Sequence, residues 1–358
     1  MPESSTAGNE MPRPLRIVSL IPSATDICVH LGLGDNVVGI THCCDAGDVP
    51  SSALVVTEDQ VHASSNSQGD IHAKVVENGQ KAVETMETNT RDASDPAACS
   101  LTTEEIPTLY PINKELLKKA DPTLIVTQDL CHVCAPSSAT VFRALKEAGI
   151  DARVVLLTPM NLGDVVENMQ QVADAAGISR RGKELCDELR ANLRLLGDTV
   201  RKHRKPEQAN KKVLVMEWVD PPFCGGHWIP DMARLIGTEL AIDPNPDGRS
   251  RRVTWDEIER ADPDVVLVAC CGFDLERNLD DASSSGKHFG RLRSNREGNL
   301  YAANGDQYFA RPSPKLLTGA VVMALGAYNE RDEPDVVRAI RDLPFSSRAF
   351  DSIEAMEF

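Results

Sequence analysis

The sequence predicts an α/β protein: two Rossmann-like lobes with parallel sheets, joined by a long helical connector. Three observations predict it. Short β-branched runs alternate with helical stretches over residues 16–158 and again after 211, and strands that alternate with helices build parallel sheets covered on both faces. Between the halves, 161–204 keeps helical spacing throughout, broken near Gly177-Ile178-Ser179. A length of 358 residues also favours two cores over one.

Taken in order, residues 1–13 read as a disordered leader. "RIVSLIP" (16–22) is an apolar strand, and 23–34 a helix with Ser23 or Thr25 as N-cap and Gly32 or Gly34 as stop. Residues 36–42 and 53–57 read as strands. The stretch 76–106 is acidic, rich in Ser, Thr and Ala, and without periodicity, so it reads as a surface insertion. Helix 113–122, strand 123–128, helix 138–149 and strand 151–158 complete an N-terminal lobe over 14–158. The connector covers 159–205. In the C-terminal lobe, 206–330, strands are expected at 211–218, 264–270 and 299–305, and helices at 228–237, 254–263, 289–298 and 313–328. Residues 331–358 read as a C-terminal tail.

The formal net charge of −16 disfavours nucleic acid as the main partner. No apolar run is long enough to span a bilayer. The first twenty residues lack a basic segment followed by an apolar one and a cleavage site. The expectation is therefore a cytoplasmic location with reduced thiols, an ABC transporter permease being a partner only if the chain is exported.

Ligands of parallel α/β sheets bind beyond the carboxyl ends of the strands. The residues there are Pro22 and Ser23; His42, Cys43, Cys44 and Asp45; Gln128, Asp129, Cys131, His132 and Cys134; Trp218, Cys224, Gly225, Gly226, His227 and Trp228; Cys270, Cys271 and Phe273; and Asp306, Gln307, Tyr308 and Arg311. Seven of the ten cysteines fall at these ends, which points to a small-molecule cleft between two facing edges. From these come the candidate ligand-binding residues: Pro22, Ser23, His42, Cys43, Asp45, Gln128, Asp129, Cys131, Trp218, Gly225, Gly226, His227, Trp228, Phe273, Asp306, Tyr308 and Arg311.

The pair Cys131-x-x-Cys134 has three readings: a redox pair, half of a zinc site, or a loop lining the cleft. Three residues separate it from the next helix, which withholds the helix terminus that activates a redox thiol. A tetrahedral site for zinc or another transition metal would need further ligands, and Cys43, Cys44, Cys224 and His227 are the candidates, Cys224 and His227 foremost. A neutral His42, His132 or His227 could also be an axial ligand to cobalt or iron, or a hydrogen-bond donor to a chelate's amides. Trp218, Phe223, Trp228, Phe273 and Tyr308 could stack on a planar ring or pack in the core. Two glycines in "CGGHW" (224–228) would let backbone N–H groups approach a ligand. Asp306 and Arg311 would form a salt bridge or polarise the cleft. No catalytic triad, H-E-x-x-H, nucleotide-binding glycine pattern or D-x-H-x-x-G corrinoid signature occurs; "DIHAKV" (70–75) has Val where that signature needs Gly.

Five segments, "RIVSLIPSATDICVHLGLGDNVVGITHCCD", "DPTLIVTQDLCHVCAPS", "CGGHWIPDMARLIG", "TWDEIERADPDVVLVACCGF" and "GDQYFARPSPKLLTGA", occur in this order. Together they resemble the cobalamin/ferric-siderophore class (class III) of substrate-binding proteins, and most closely its cobalamin-binding branch. The resemblance covers about residues 15–328. It implies two lobes, a rigid helical connector that resists hinge opening, and a metal chelate such as cobalamin held non-covalently between the lobes. The alternative is a thiolate/His metal-ion-binding protein using the cysteine-rich edge.

Overall fold

The computed structural model describes residues 13–78, 109–128, 136–208 and 210–358. The first sheet has five strands: β1 (Ile17–Ser19), β2 (Val37–Ile40), β3 (Leu54–Val55), β4 (Leu124–Gln128) and β5 (Arg153–Leu157). All are parallel and lie in the order β3-β2-β1-β4-β5. The chain builds outward from β1 on one side, then crosses to β4 on the other. Strand order therefore reverses between β1 and β4, which makes their carboxyl ends the natural crevice of this sheet.

The second sheet is mixed. Its parallel centre is β6 (Lys212–Val219), β8 (Glu239–Leu240), β10 (Val265–Val268) and β11 (Leu300–Ala303). Antiparallel strands flank it: β7 (Pro222–Cys224) and β9 (Arg251–Arg252) beyond β6, and β12 (Ile353–Ala355) beyond β11. The expectation of parallel pairing thus holds for the centre of the sheet but not its margins. There, a tight turn at 220–221 lets the chain fold straight back on β6, and two-residue connections of that kind force antiparallel pairing. The stretch 331–358 carries helix Pro334–Arg341 as well as β12, and β12 continues the sheet at β11.

The connector is helix Leu162–Ala175 followed by helix Ser179–His203. Asn161 caps the first, its side chain accepting from the Asp164 N–H at 2.9 Å. Gly177 turns the chain between them at φ +76°, a conformation costly for a residue with a Cβ. The second helix buries Leu185, Leu189, Leu193, Leu196 and Val200, one stripe at helical spacing. That stripe joins a single core running from Ile17 and Leu124 of the first sheet through the connector to Val213, Leu267 and Tyr301 of the second. Helix Leu316–Ala327 lies inside it, with every residue but Thr318 buried.

One part of the first lobe reaches the second. The chain leaves β3, pairs with the returning strand through the Thr57–Ile112 bridge, and forms a helix over 68–78. Val61, Ile71 and Leu109 are buried in a core otherwise made of second-lobe residues such as Leu214, Met216 and Phe273. Most of the acidic stretch read as a surface insertion, 79–106, lies outside the described residues.

Candidate functional site

The carboxyl ends of the two sheets meet through charged side chains. Asp45, in the loop after β2, receives Arg311 Nη1 at 2.6 Å. The same guanidinium grips Asp306, with Nε 3.2 Å from Oδ1. Its Nη1 also lies 3.8 Å from Asp26, and Nη2 reaches the Cys43 carbonyl at 3.5 Å. Lys315 adds a 2.8 Å bridge to Asp26 and a 3.5 Å one to Asp45. Gln307 Nε2 approaches Asp45 at 3.4 Å. Four of the sequence-predicted residues, Cys43, Asp45, Asp306 and Arg311, are thus brought together, and the Asp306–Arg311 pair forms the salt bridge that was one of its two expected roles. Asp26 and Lys315 went unpredicted.

Burial sets the electrostatics. Arg311 is 4% exposed and Asp26 2%. Burial works against the Arg311 charge, but Asp306, Asp26 and Asp45 outweigh it and hold the guanidinium protonated above its usual range. Burial pushes the Asp26 carboxyl up, only partly opposed by Lys315 and Arg311.

His42 stands beside this network. Its Nδ1 is 2.9 Å from Thr57 Oγ1 and its ring lies 5.1 Å from that of Tyr110. Burial pulls its pKa down, against a smaller pull from Asp59, which favours the neutral imidazole.

A second group lies where strand order reverses in the second sheet, at the ends of β6 and β10. Trp218 is half-buried and stacks on Phe273 at 5.2 Å between ring centroids, while Arg277 sits 4.5 Å from the centre of the Phe273 ring. Trp218 Nε1 donates to the Asp220 carbonyl at 2.9 Å, which fixes the indole.

The third group is structural in its contacts. Trp228 is 5% exposed and donates to the Phe309 carbonyl at 2.8 Å. Tyr308 is buried in the same core. The backbone donors of the Gly225-Gly226-His227 turn are taken within the chain: by the Val215 carbonyl at 2.9 Å, Ser250 Oγ at 3.1 Å and the Gly248 carbonyl at 2.6 Å. A Cβ on Gly226 would meet the backbone of Arg249 and Ser250, so glycine serves a close chain approach there. Ser23 is buried in the first helix, Pro22 is its first residue, and Gln128 is buried at the end of β4. Asp129, Cys131, His132 and Cys134 lie outside the described residues.

Of the expected thiolate/His metal set, Cys131 and Cys134 lie outside the described residues. Cys224 is buried, with Sγ 3.8 Å from the Asp243 carbonyl. Among the described residues, one group of three metal-competent donors lies close together: Asp26, Asp45 and Asp48. It has neither nitrogen nor sulfur ligands, contrary to zinc's preference, and Lys315 and Arg311 already neutralise it. Cys224 and His227 belong to no such group among the described residues.

A periplasmic binding protein family model matches residues 17–289. The chain belongs to the periplasmic binding protein family. Solved structures of similar fold include a possible iron-binding (periplasmic solute-binding) protein from Staphylococcus epidermidis, at 20% identity and TM-score 0.60, covering 88% of this chain and 98% of that one. The periplasmic heme-binding protein RhuT from Roseiflexus is 17% identical with TM-score 0.58, covering 88% and 99%. The vitamin B12 binding protein BtuF of Vibrio cholerae is 15% identical with TM-score 0.55, covering 92% and 98%. Comparison with curated proteins returns no significant match. The expected cytoplasmic location is corrected by this membership: the family is one of periplasmic proteins, and the first twenty residues were a poor guide to the compartment. Among the described residues, no helix of this periplasmic binding protein is long and apolar enough to cross a membrane.

Proposed function

We propose that this periplasmic binding protein captures a corrinoid, cobalamin foremost, non-covalently between the carboxyl edges of its two sheets. Residues 14–158 and 206–330 would be the two lobes and 159–205 the connector. The observation that carries the reading is Trp218. It is a half-buried indole, held by its own N–H bond and backed by Phe273, at the strand-order reversal of the second sheet. Such a face can cover a flat macrocycle with little loss of side-chain freedom. His42, its Nδ1 beside Thr57 Oγ1 and its neutral form favoured by burial, would offer Nε2 to cobalt from the other lobe. Asp45, Asp306 and Arg311 would meet polar substituents at the rim. The five sequence segments and the vitamin B12 and heme binders among the structural neighbours support a metal chelate. The partner for such a protein would be an ABC transporter permease, as the Listeria monocytogenes neighbour described as an ABC transporter substrate-binding protein suggests.

The test is tryptophan fluorescence. Hydroxocobalamin should quench the parent chain saturably, and Trp218→Ala should weaken binding about tenfold while leaving the fold intact. Unchanged affinity in Trp218→Ala would contradict a stacked macrocycle.

A further inference from the structure

Gln68 belongs to the first-lobe segment that crosses to the second lobe, yet its side chain is 3% exposed and fully engaged there. Its Oε1 accepts from the Val219 N–H at 2.6 Å and the Asp220 N–H at 3.1 Å. Its Nε2 donates to Asp281 at 2.8 Å and to Cys270 Sγ at 3.3 Å. Val219, Asp220 and Cys270 lie at the ends of β6 and β10, the two strands between which the second sheet reverses order, and Asp281 lies in the helix Leu275–Ser284. Arg277, salt-bridged to Asp281 at 3.0 Å, holds the same segment by its backbone, with Nη2 2.7 Å from the Asn66 carbonyl. Gln68 thus fills the hydrogen-bonding positions beside Trp218 with part of the other lobe. The Asp45–Arg311 bridge provides a separate cross-lobe contact.

We propose that residues 58–78 with 109–113 form a clasp, fastened by Gln68 at the end of β6, that ties the first lobe to the second and slows ligand release. The clasp itself stands on the contacts above; its effect on release rests on the chelate-binding function proposed above. Loss of the Gln68 bonds leaves the Val219 and Asp220 N–H groups without this partner, and bonds of this kind are worth up to about tenfold each in an equilibrium.

The experiment is hydrogen exchange on the full chain, comparing the parent with Gln68→Leu and with Arg277→Ala. In the parent, peptides covering 59–78 and 219–220 should be protected. In both variants they should exchange faster, by about tenfold or more in Gln68→Leu. Protection across 185–200 of the connector should be unchanged, which shows that the fold is kept. Hydroxocobalamin dissociation, followed by stopped flow, should accelerate in the same order. Exchange of 59–78 in the parent at the rate of an unstructured peptide would overturn the clasp, as would unchanged exchange in both variants. Faster exchange with unchanged dissociation would overturn its control of release. Failure of the parent to bind hydroxocobalamin would contradict the proposed function and the control of release, while the exchange data alone would then decide whether the lobes are tied.

Discussion

Arg311 is the side chain on which most of the buried charge converges. Removing one partner of a buried ion pair leaves the others desolvated and unmatched. Arg311→Leu should therefore lower unfolding free energy by about 3–5 kcal/mol, read from urea denaturation, and Arg311→Lys should recover only part because a point charge cannot fork between Asp45 and Asp306. Asp26 should act oppositely with pH. Its folded pKa lies above the ordinary 3.8, so the folded state holds the proton more tightly than the unfolded one. Its contribution is complete below 3.8 and is lost as pH rises through the raised value. The stability of the parent relative to Asp26→Asn should fall over that rise; a difference independent of pH would contradict the shift. At this scale the sequence was only partly legible. Asp306 and Arg311 flank a turn and could be paired by proximity. Asp26 sits in the apolar run "SATDICVHL", and a charge buried there signals a distant cation, but nothing local says that it is Lys315.

The connector helix was legible because its leucines repeat at 3.6-residue spacing, a local property. Leu196 is fully buried on that stripe, and Leu196→Ala should cost about 2–5 kcal/mol by denaturation; a cost below 1 kcal/mol would mean that the stripe does not join the two lobes. The clasp was not legible. It is made by two short segments far apart in sequence, 58–78 and 109–113, and their pairing is visible only in space. The cysteines show the same limit. They cluster at strand ends in sequence, yet Cys224 and Cys270 point into the core while Cys43 is exposed. Burial pushes the thiol of Cys28 up to about 12 and that of Cys270 above its usual range. Alkylation of the native chain at pH 7.5 (about one unit below an ordinary thiol pKa) should leave both unmodified, and mass spectrometry of the digested protein would detect the exception.

For the whole molecule, alternation of strands and helices pointed to parallel pairing but not to the strand order or the antiparallel margins, since β7, β9 and β12 are two or three residues each. A single core through the connector and two cross-lobe contacts argue against a wide hinge. X-ray scattering should give the same radius of gyration with and without ligand, and a clear contraction on binding would contradict a rigid frame. The central claim, that a corrinoid occupies the space between the two sheet edges, is tested most directly by titrating the reduced, metal-free protein into hydroxocobalamin and following visible absorbance. A saturable shift of the corrin bands at one-to-one stoichiometry, reduced in His42→Ala, is the expected result. No shift and no tryptophan quenching would remove cobalamin as the ligand.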